Sequence, residues 1–468
     1  MRQGEDTIVA VATPPGVGAI GIVRLTGPDA ISIAERVFRR SHGQDDDLAN
    51  VASHTVIHGY IADPESDEPI DEVLLLVMRG PHSYTGEDVV ECHGHGGPVP
   101  LSAVLRALLR MGARPAEPGE FTRRAFLNGR LDLSQAEAVA DLIDSRSQKG
   151  AQLALDQLAG RLGAVIRGLR HQLLDMMAHL EVVLDYPEMA IEPEARERFR
   201  EQLVSIRDEL DALIRSASTG KPFRDGVRTV ILGQPNVGKS SLLNAMLGRD
   251  RAIVTEIPGT TRDVLEESVV VNGLPLVLTD TAGLRSSEDE VERIGVDRAT
   301  AAAQQADLIL FVLDDTQPLS EEEVRLAREL AEQQGVILVV NKIDLGVGAI
   351  EEKMLREYLP FAPIVRVSAK TRSGLETLDE AVSSRILGDS RYQMGGEGVI
   401  ITNARHEQAL RRAREALDEG MTALDGDMPA DMVSIDLRET LEALGQITGD
   451  TVTEDLLDRI FSTFCLGK

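Results

Sequence analysis

The sequence predicts a multidomain α/β plus α protein in which an α/β unit is inserted into a helical one. Three observations carry this expectation. At 468 residues the chain exceeds the usual span of one hydrophobic core. Residues 226–388 alternate strand, loop and helix, the pattern of a doubly wound, mainly parallel sheet. Helical periodicity flanks that stretch on both sides, so a discontinuous helical bundle is expected around it. The expected domains are 1–128, an N-terminal α+β unit; 129–224 and 389–468, the two parts of the bundle; and 225–388, the α/β insert.

In chain order, Thr7–Ala12 alternates as a strand, Pro14-Pro15-Gly16 breaks it, and Ile20–Leu25 resumes. Glu72–Met78 and Asp88–Cys92 read as further strands, and Leu101–Met111 as an amphipathic helix. From Leu131 the pattern turns helical. Ser134 with Glu137 three positions on has the form of a capping box. Leu153, Leu158, Leu162, Val165, Leu169, Leu173 and Leu180 then mark an apolar stripe suited to bundle packing. After Tyr186-Pro187 a helix is expected over Pro193–Ser216. Beyond Leu387 come three more, Asn403–Leu424, Met432–Thr448 and Thr453–Phe464.

Composition narrows the classes. Hydrophobic residues make up 43%, enough for sizeable cores and against global disorder. The formal charge of −28 opposes non-specific nucleic-acid binding, so any RNA contact must use local basic patches or a partner's surface. With no Trp and 3% aromatics, a broad base-stacking platform is not expected. No apolar run of about 18 residues suggests a membrane span. The opening MRQGEDTIVA lacks the basic stretch and apolar core of a secretory signal. Cys92 and Cys465 make no disulfide framework, and a reducing cytoplasm is expected.

The motifs carry the chemistry. Thr229–Leu232 leads into Gly233-Gln234-Pro235-Asn236-Val237-Gly238-Lys239-Ser240, a GxxxxGK[ST] loop between strand and helix, with Ser241 following. Its backbone amides can face phosphates, Lys239 the β- and γ-phosphates, and the Ser240 hydroxyl a Mg²⁺ ion. Leu276–Thr279 ends in Asp280-Thr281-Ala282-Gly283, a DxxG element. Val336–Val340 ends in Asn341-Lys342-Ile343-Asp344, where a carboxylate can accept from guanine N1–H and its exocyclic amine. Val365–Val367 leads to Ser368-Ala369-Lys370, a loop suited to the guanine edge. Together they predict an inserted Ras-like P-loop GTPase domain.

Hydrolysis needs a further element. Leu284 stands where many GTPases carry a water-orienting Gln. Two substitutes are available. Asn236 can hold a monovalent cation against the phosphates, and the stretch Glu288-Asp289-Glu290-Val291-Glu292 can deliver a carboxylate or be a solvated loop.

The chain resembles the MnmE (TrmE) family of tRNA-modification GTPases. The resemblance rests on Gly259-Thr260-Thr261-Arg262-Asp263, on DTAGLR at 280–285, on Glu290–Gly295, and on Phe464-Cys465-Leu466-Gly467-Lys468. Asp6–Ala10 through Gly16 and Pro118–Arg130 add to it. It implies a cytoplasmic homodimer joined through N-terminal folate-binding-like domains. It also implies a flavin-dependent MnmG-like partner, which alone brings FAD. The implied reaction adds a carboxymethylaminomethyl or aminomethyl group at position 5 of the wobble uridine of certain tRNAs. A 5-formyl- or 5,10-methylene-tetrahydrofolate is the implied one-carbon donor, with glycine or ammonium as amine donor. GTP hydrolysis would be potassium-dependent.

By the same resemblance, Thr255, Ile257 and Thr260 join Asn236 around K⁺, and Ser240 and Thr261 hold Mg²⁺. Glu256, Pro258 and Gly259 complete the GTP-contacting loop, and Glu292 orients the attacking water. Arg24, Glu91, Arg130 and Lys468 would bind the folate, and Cys465 is a candidate nucleophile beside Lys468. Position 130 departs from the lysine of one pattern associated with the family, keeping the charge but changing its geometry. His93 and His95 lie two apart in a glycine-rich turn, weak support for a metal site, and Cys92 would point to the opposite face. A GTP-controlled binding switch, with the N-terminal unit as a recognition module, is the alternative function; it needs no folate pocket.

Overall fold

The computed structural model describes residues 6–41, 47–185, 193–248, 267–278, 303–388, 398–426 and 428–468. Seven strands form the N-terminal sheet: β1 Ile8–Val11, β2 Ile20–Thr26, β3 Phe38–Arg40, β4 Thr55–Ala62, β5 Pro69–Met78, β6 Val89–His95 and β7 Arg114–Pro115. Their order is β3-β4-β5-β6-β2-β1-β7. Only the β1–β7 pair is parallel. Because side chains alternate across a sheet, Val23, Leu25, Leu75, Val77, Val90 and Cys92 share one buried face. The helices Ala30–Val37 and Pro98–Arg110 pack on it through Ile33, Ala34, Val104 and Leu108. The β2–β6 register sets Arg24 opposite Glu91, on the other face.

The bundle is built from both flanks of the insert. Leu162, Ile166, Leu169 and Leu173 share one core with Leu203, Ile206 and Leu210 and with Leu410, Leu417, Leu437, Leu444 and Ile447. A second small cluster seats the last helix, Glu454–Phe461, with Leu457, Phe461 and Phe464 against Leu133 and Ala136.

Two sequence expectations need correction here. The capping box belongs to Asp132 and Gln135, which satisfy each other's backbone amides, while the Ser134 hydroxyl donates to Asp132 Oδ1 at 2.6 Å. Burial of Leu133 decides the register, and Glu137 turns inward to Asn403, Arg405 and His406. The helix expected to end at Ser216 runs Pro193–Asp225 and includes Pro222, because Ala217 and Phe223 continue its buried face.

The insert holds six described strands: β8 Val227–Leu232, β9 Glu267–Val271, β10 Leu274–Leu278, β11 Leu308–Asp314, β12 Val336–Asn341 and β13 Ile364–Arg366. Their order is β13-β12-β11-β8-β10-β9, parallel except for the β9–β10 pair. Apolar clusters cover both faces, as a parallel sheet requires. The parallel order brings the loops leaving β8, β12 and β13 to one edge of the sheet.

Candidate functional site

The loop after β8 turns through Asn236, exposed at φ 62°, and Gly238 at φ 100°. A Cβ at Gly238 would lie 2.3 Å from Asn341 Nδ2, so that position tolerates no side chain. The helix Lys239–Leu247 starts there, and the amides of a helix's first turn suit phosphate oxygens. Ser240 and Ser241 are exposed in that turn. Lys239 is half-buried, and its ammonium donates to the Gly233 and Gln234 carbonyls, both at 2.8 Å.

Asn341 acts as a strut. Buried at the end of β12, it donates from Nδ2 to the Val237 carbonyl at 2.9 Å and accepts the Ala369 amide at Oδ1 at 3.0 Å. One side chain thereby ties the phosphate loop to the loop after β13. Lys342, at φ 66°, donates its ammonium to Asp314 Oδ2 at 2.6 Å. Burial would raise the Asp314 carboxyl, but hydrogen bonds from Lys342 and Thr316 hold it below the usual range. Asp344 is exposed, and its Oδ1 accepts from the buried Ser368 hydroxyl at 2.7 Å. The Thr371 amide in turn donates to that hydroxyl at 3.1 Å. An oriented, solvent-facing carboxylate beside a phosphate-type loop is what recognition of a guanine edge requires. Lys370 is exposed next to it.

Thr255, Glu256, Ile257, Pro258, Gly259, Thr260, Thr261, Asp280, Thr281, Ala282, Gly283, Leu284 and Glu292 lie outside the described residues.

A second constellation forms on the open face of the N-terminal sheet. Arg24 Nε donates to Glu91 Oε1 at 2.7 Å, and His93 Nε2 pairs with Glu91 Oε2 at 2.9 Å. Burial works to raise the Glu91 carboxyl, yet the Arg24 charge and the His93 and Arg24 hydrogen bonds keep it below the usual range. The C-terminal segment closes over this pair. The main-chain oxygen of Lys468 accepts the Phe121 amide at 3.1 Å, the Cys465 carbonyl accepts the Gly119 amide at 3.4 Å, and Arg24 reaches the Gly467 carbonyl at 3.4 Å. Gly467 has φ 85°, and a Cβ there would lie 2.4 Å from the Val11 carbonyl.

Burial and the nearby Arg24 charge pull the Lys468 ammonium below the ordinary lysine range. Cys465 is exposed. Arg130 joins through Tyr84, whose ring centroid lies 5.4 Å from the Arg24 guanidinium carbon and 5.5 Å from that of Arg130. Arg24, Glu91, Arg130 and Lys468, more than four hundred positions apart at the extremes, thus meet in one place.

Sequence reasoning missed Tyr84, His93 as a partner of Glu91, and Phe121. The available signal was an aromatic residue in a loop bounded by Gly80 and Gly86, in a chain with 5 tyrosines. His95 pairs with Asp71 at 2.6 Å, which raises its proton affinity. Cys92 is buried on the opposite face, and burial pushes its thiol up to about 12.

Comparison with known proteins follows the same lines. A family model described as the MnmE helical domain matches residues 133–465. A second, described as GTP-binding protein TrmE N-terminus, matches residues 7–130. The tRNA modification GTPase MnmE of Desulforamulus reducens is 46% identical over 464 residues, covering 99% of this chain and 100% of that protein. The protein of the same description from Geobacillus thermodenitrificans is 48% identical over 464 residues, covering 99% of each. Among solved structures, the G domain of the T. maritima FeoB iron transporter is 31% identical, covers 34% of this chain and 98% of that one, and superposes with a TM-score of 0.26.

Proposed function

The chain belongs to the MnmE family of tRNA modification GTPases, and we propose that its GTP hydrolysis drives one-carbon transfer from a tetrahydrofolate to the wobble uridine of certain tRNAs. It is a GTP-hydrolysing, tRNA-modifying enzyme. The finer reading has a homodimer joined through its N-terminal domains and working with an MnmG-like flavoprotein. Together they add a carboxymethylaminomethyl or aminomethyl group at position 5 of the base. Among the described residues no helix is long and apolar enough to cross a membrane.

One observation carries the folate reading: Arg24 and Lys468 gather at a buried Glu91 whose carboxyl is held below the usual range, and Arg130 lies over the same Tyr84 ring as Arg24, in a chain of net charge −28. Three gathered cations suit the carboxylates of a folate, and a carboxylate held ionised suits the paired N–H groups of a pterin. A 5-formyl- or 5,10-methylene-tetrahydrofolate bound there supplies the carbon unit. Arg24, Arg130 and Lys468 hold its anionic groups, Glu91 orients its ring, and the exposed Cys465 lies next to that charge. Calorimetric titration with 5-formyl-tetrahydrofolate tests this. Saturable binding to the native chain, lost in Glu91→Gln, is expected; absence of binding to the native chain overturns it.

In the insert, Ser240 and Thr261 are the proposed Mg²⁺ pair, Glu292 the residue that orients water, and Asn236, Thr255, Ile257 and Thr260 the proposed K⁺ ligands. The exposed, positive-φ Asn236 at the head of the phosphate loop supports the cation reading. A K⁺ ion held there would supply the positive charge that an arginine finger supplies elsewhere. Losing one such stabiliser costs roughly 100- to 1000-fold in rate. Asn236→Ala is expected to lose potassium stimulation while still binding nucleotide. Equal hydrolysis rates of the native protein in potassium and sodium contradict the reading.

A further inference from the structure

We infer that Tyr84 is a positioning residue of the N-terminal pocket, its ring holding the Arg24 and Arg130 guanidinium groups at a set spacing for an anionic folate. This rests on the folate reading of the pocket. Both guanidinium carbons lie within 5.5 Å of the ring centroid, inside the range in which the negative face of an aromatic ring attracts a cation.

The ring is itself anchored. The Tyr84 hydroxyl pairs with Thr122 Oγ1 at 2.9 Å, and Thr122 is fully buried in the helix Glu120–Leu127. The ring packs against the cluster of Ile8, Ala10, Ala116 and Phe121. Its neighbour Thr85 is held from two sides, by the Thr26 hydroxyl at 2.6 Å and by Asn128 Nδ2, which donates to the Thr85 carbonyl at 2.8 Å. Tyr84 is therefore fixed to the sheet and to the helix whose start captures the C-terminal segment.

Its two guests differ. Arg24 is half-buried and already committed to Glu91, whereas Arg130 is exposed on the turn that follows the helix. Arg24 and Lys468 repel each other, and in water an exposed arginine swings away from such a pair of cations. The Tyr84 ring offsets that repulsion, so Arg130 waits where the ligand's anionic end arrives. A planar guanidinium lies on a ring better than an ammonium does.

The test is calorimetric titration of 5-formyl-tetrahydrofolate into the full-length chain. Tyr84→Leu is expected to weaken binding about 10-fold, and Tyr84→Phe less than about 3-fold, since the ring survives. A ring-fluorinated phenylalanine at position 84 keeps the shape and removes the negative face. It should bind as weakly as the leucine variant, with an unchanged thermal unfolding midpoint, and it guards against a leucine variant that fails to fold. Arg130→Ala should cost less in the Tyr84→Leu background than in the native one. Equal binding by the phenylalanine and fluorinated variants, or full additivity with Arg130→Ala, overturns the role of Tyr84 and leaves the pocket standing. A native chain that binds no folate overturns both.

Discussion

The guanine loops and the N-terminal pocket are both charged sites made of loops and strand ends, but they are assembled differently. In the insert, the phosphate loop, Asn341–Asp344 and Ser368–Lys370 leave parallel strands of one sheet, and Asn341 ties the first of these loops to the last. In the N-terminal pocket, Arg24 and Glu91 meet through an antiparallel register, Tyr84 comes from a loop, Arg130 from a turn and Lys468 from the end of the described chain. The first site is a property of one sheet. The second exists only while the C-terminal segment is seated, so the two should fail separately.

The largest effect expected is at Gly238. Gly238→Ala forces a side chain onto Asn341 at a positive φ, and nucleotide binding should fall by about 1000-fold or more. Folate binding should not change; a joint loss would show that the sites are not independent. Asn341→Ala comes next. It leaves the Val237 carbonyl and the Ala369 amide without their partner, at about 1–3 kcal/mol for each buried group. GTP affinity, read with a fluorescent analogue, should drop about 100-fold. A drop under about 3-fold would mean the strut is dispensable.

Gly467→Ala probes the other side of the comparison. Its Cβ would strike the Val11 carbonyl, unseating Lys468, and folate affinity should fall about 10-fold while GTP binding holds. The smallest effect is pH dependence. Glu91 is depressed, so its contribution is complete above the ordinary value of 4.5 and is lost as pH falls through its lowered value. Lys468 is also depressed, so its ammonium is lost before the ordinary 10.5 as pH rises. Folate affinity should therefore stay level above the ordinary Glu91 value of 4.5 and begin to decline on the alkaline side before pH reaches the ordinary lysine value of 10.5. Lys468→Arg should remove that decline. An alkaline limb that survives in Lys468→Arg would assign it elsewhere.

The same contrast explains what could be read from the sequence. GxxxxGK[ST], NKxD and SAK are local strings on strand ends, so their spacing declared them. The strut role of Asn341 was hidden because it depends on the order of the strands in the sheet. Arg24 and Glu91 carried no local pattern at all; only a register pairs them, and the family resemblance was what picked them out. Ser134 was misread because Asp132-Gln135 and Ser134-Glu137 both fit a capping box. The choice was made by burial of Leu133 and by Arg405, 268 positions from Glu137. Pro222 illustrates the reverse, a helix-breaking residue overridden by the buried face that Phe223 continues.

The claim that two separable sites serve one modification is tested most directly by deleting Cys465–Lys468 and assaying two outputs. These are wobble-uridine composition of tRNA from cells carrying only that variant, and potassium-stimulated GTP hydrolysis by the purified protein. Modification should disappear while hydrolysis stays near the native rate. Retained modification, or hydrolysis lost together with it, would contradict the account.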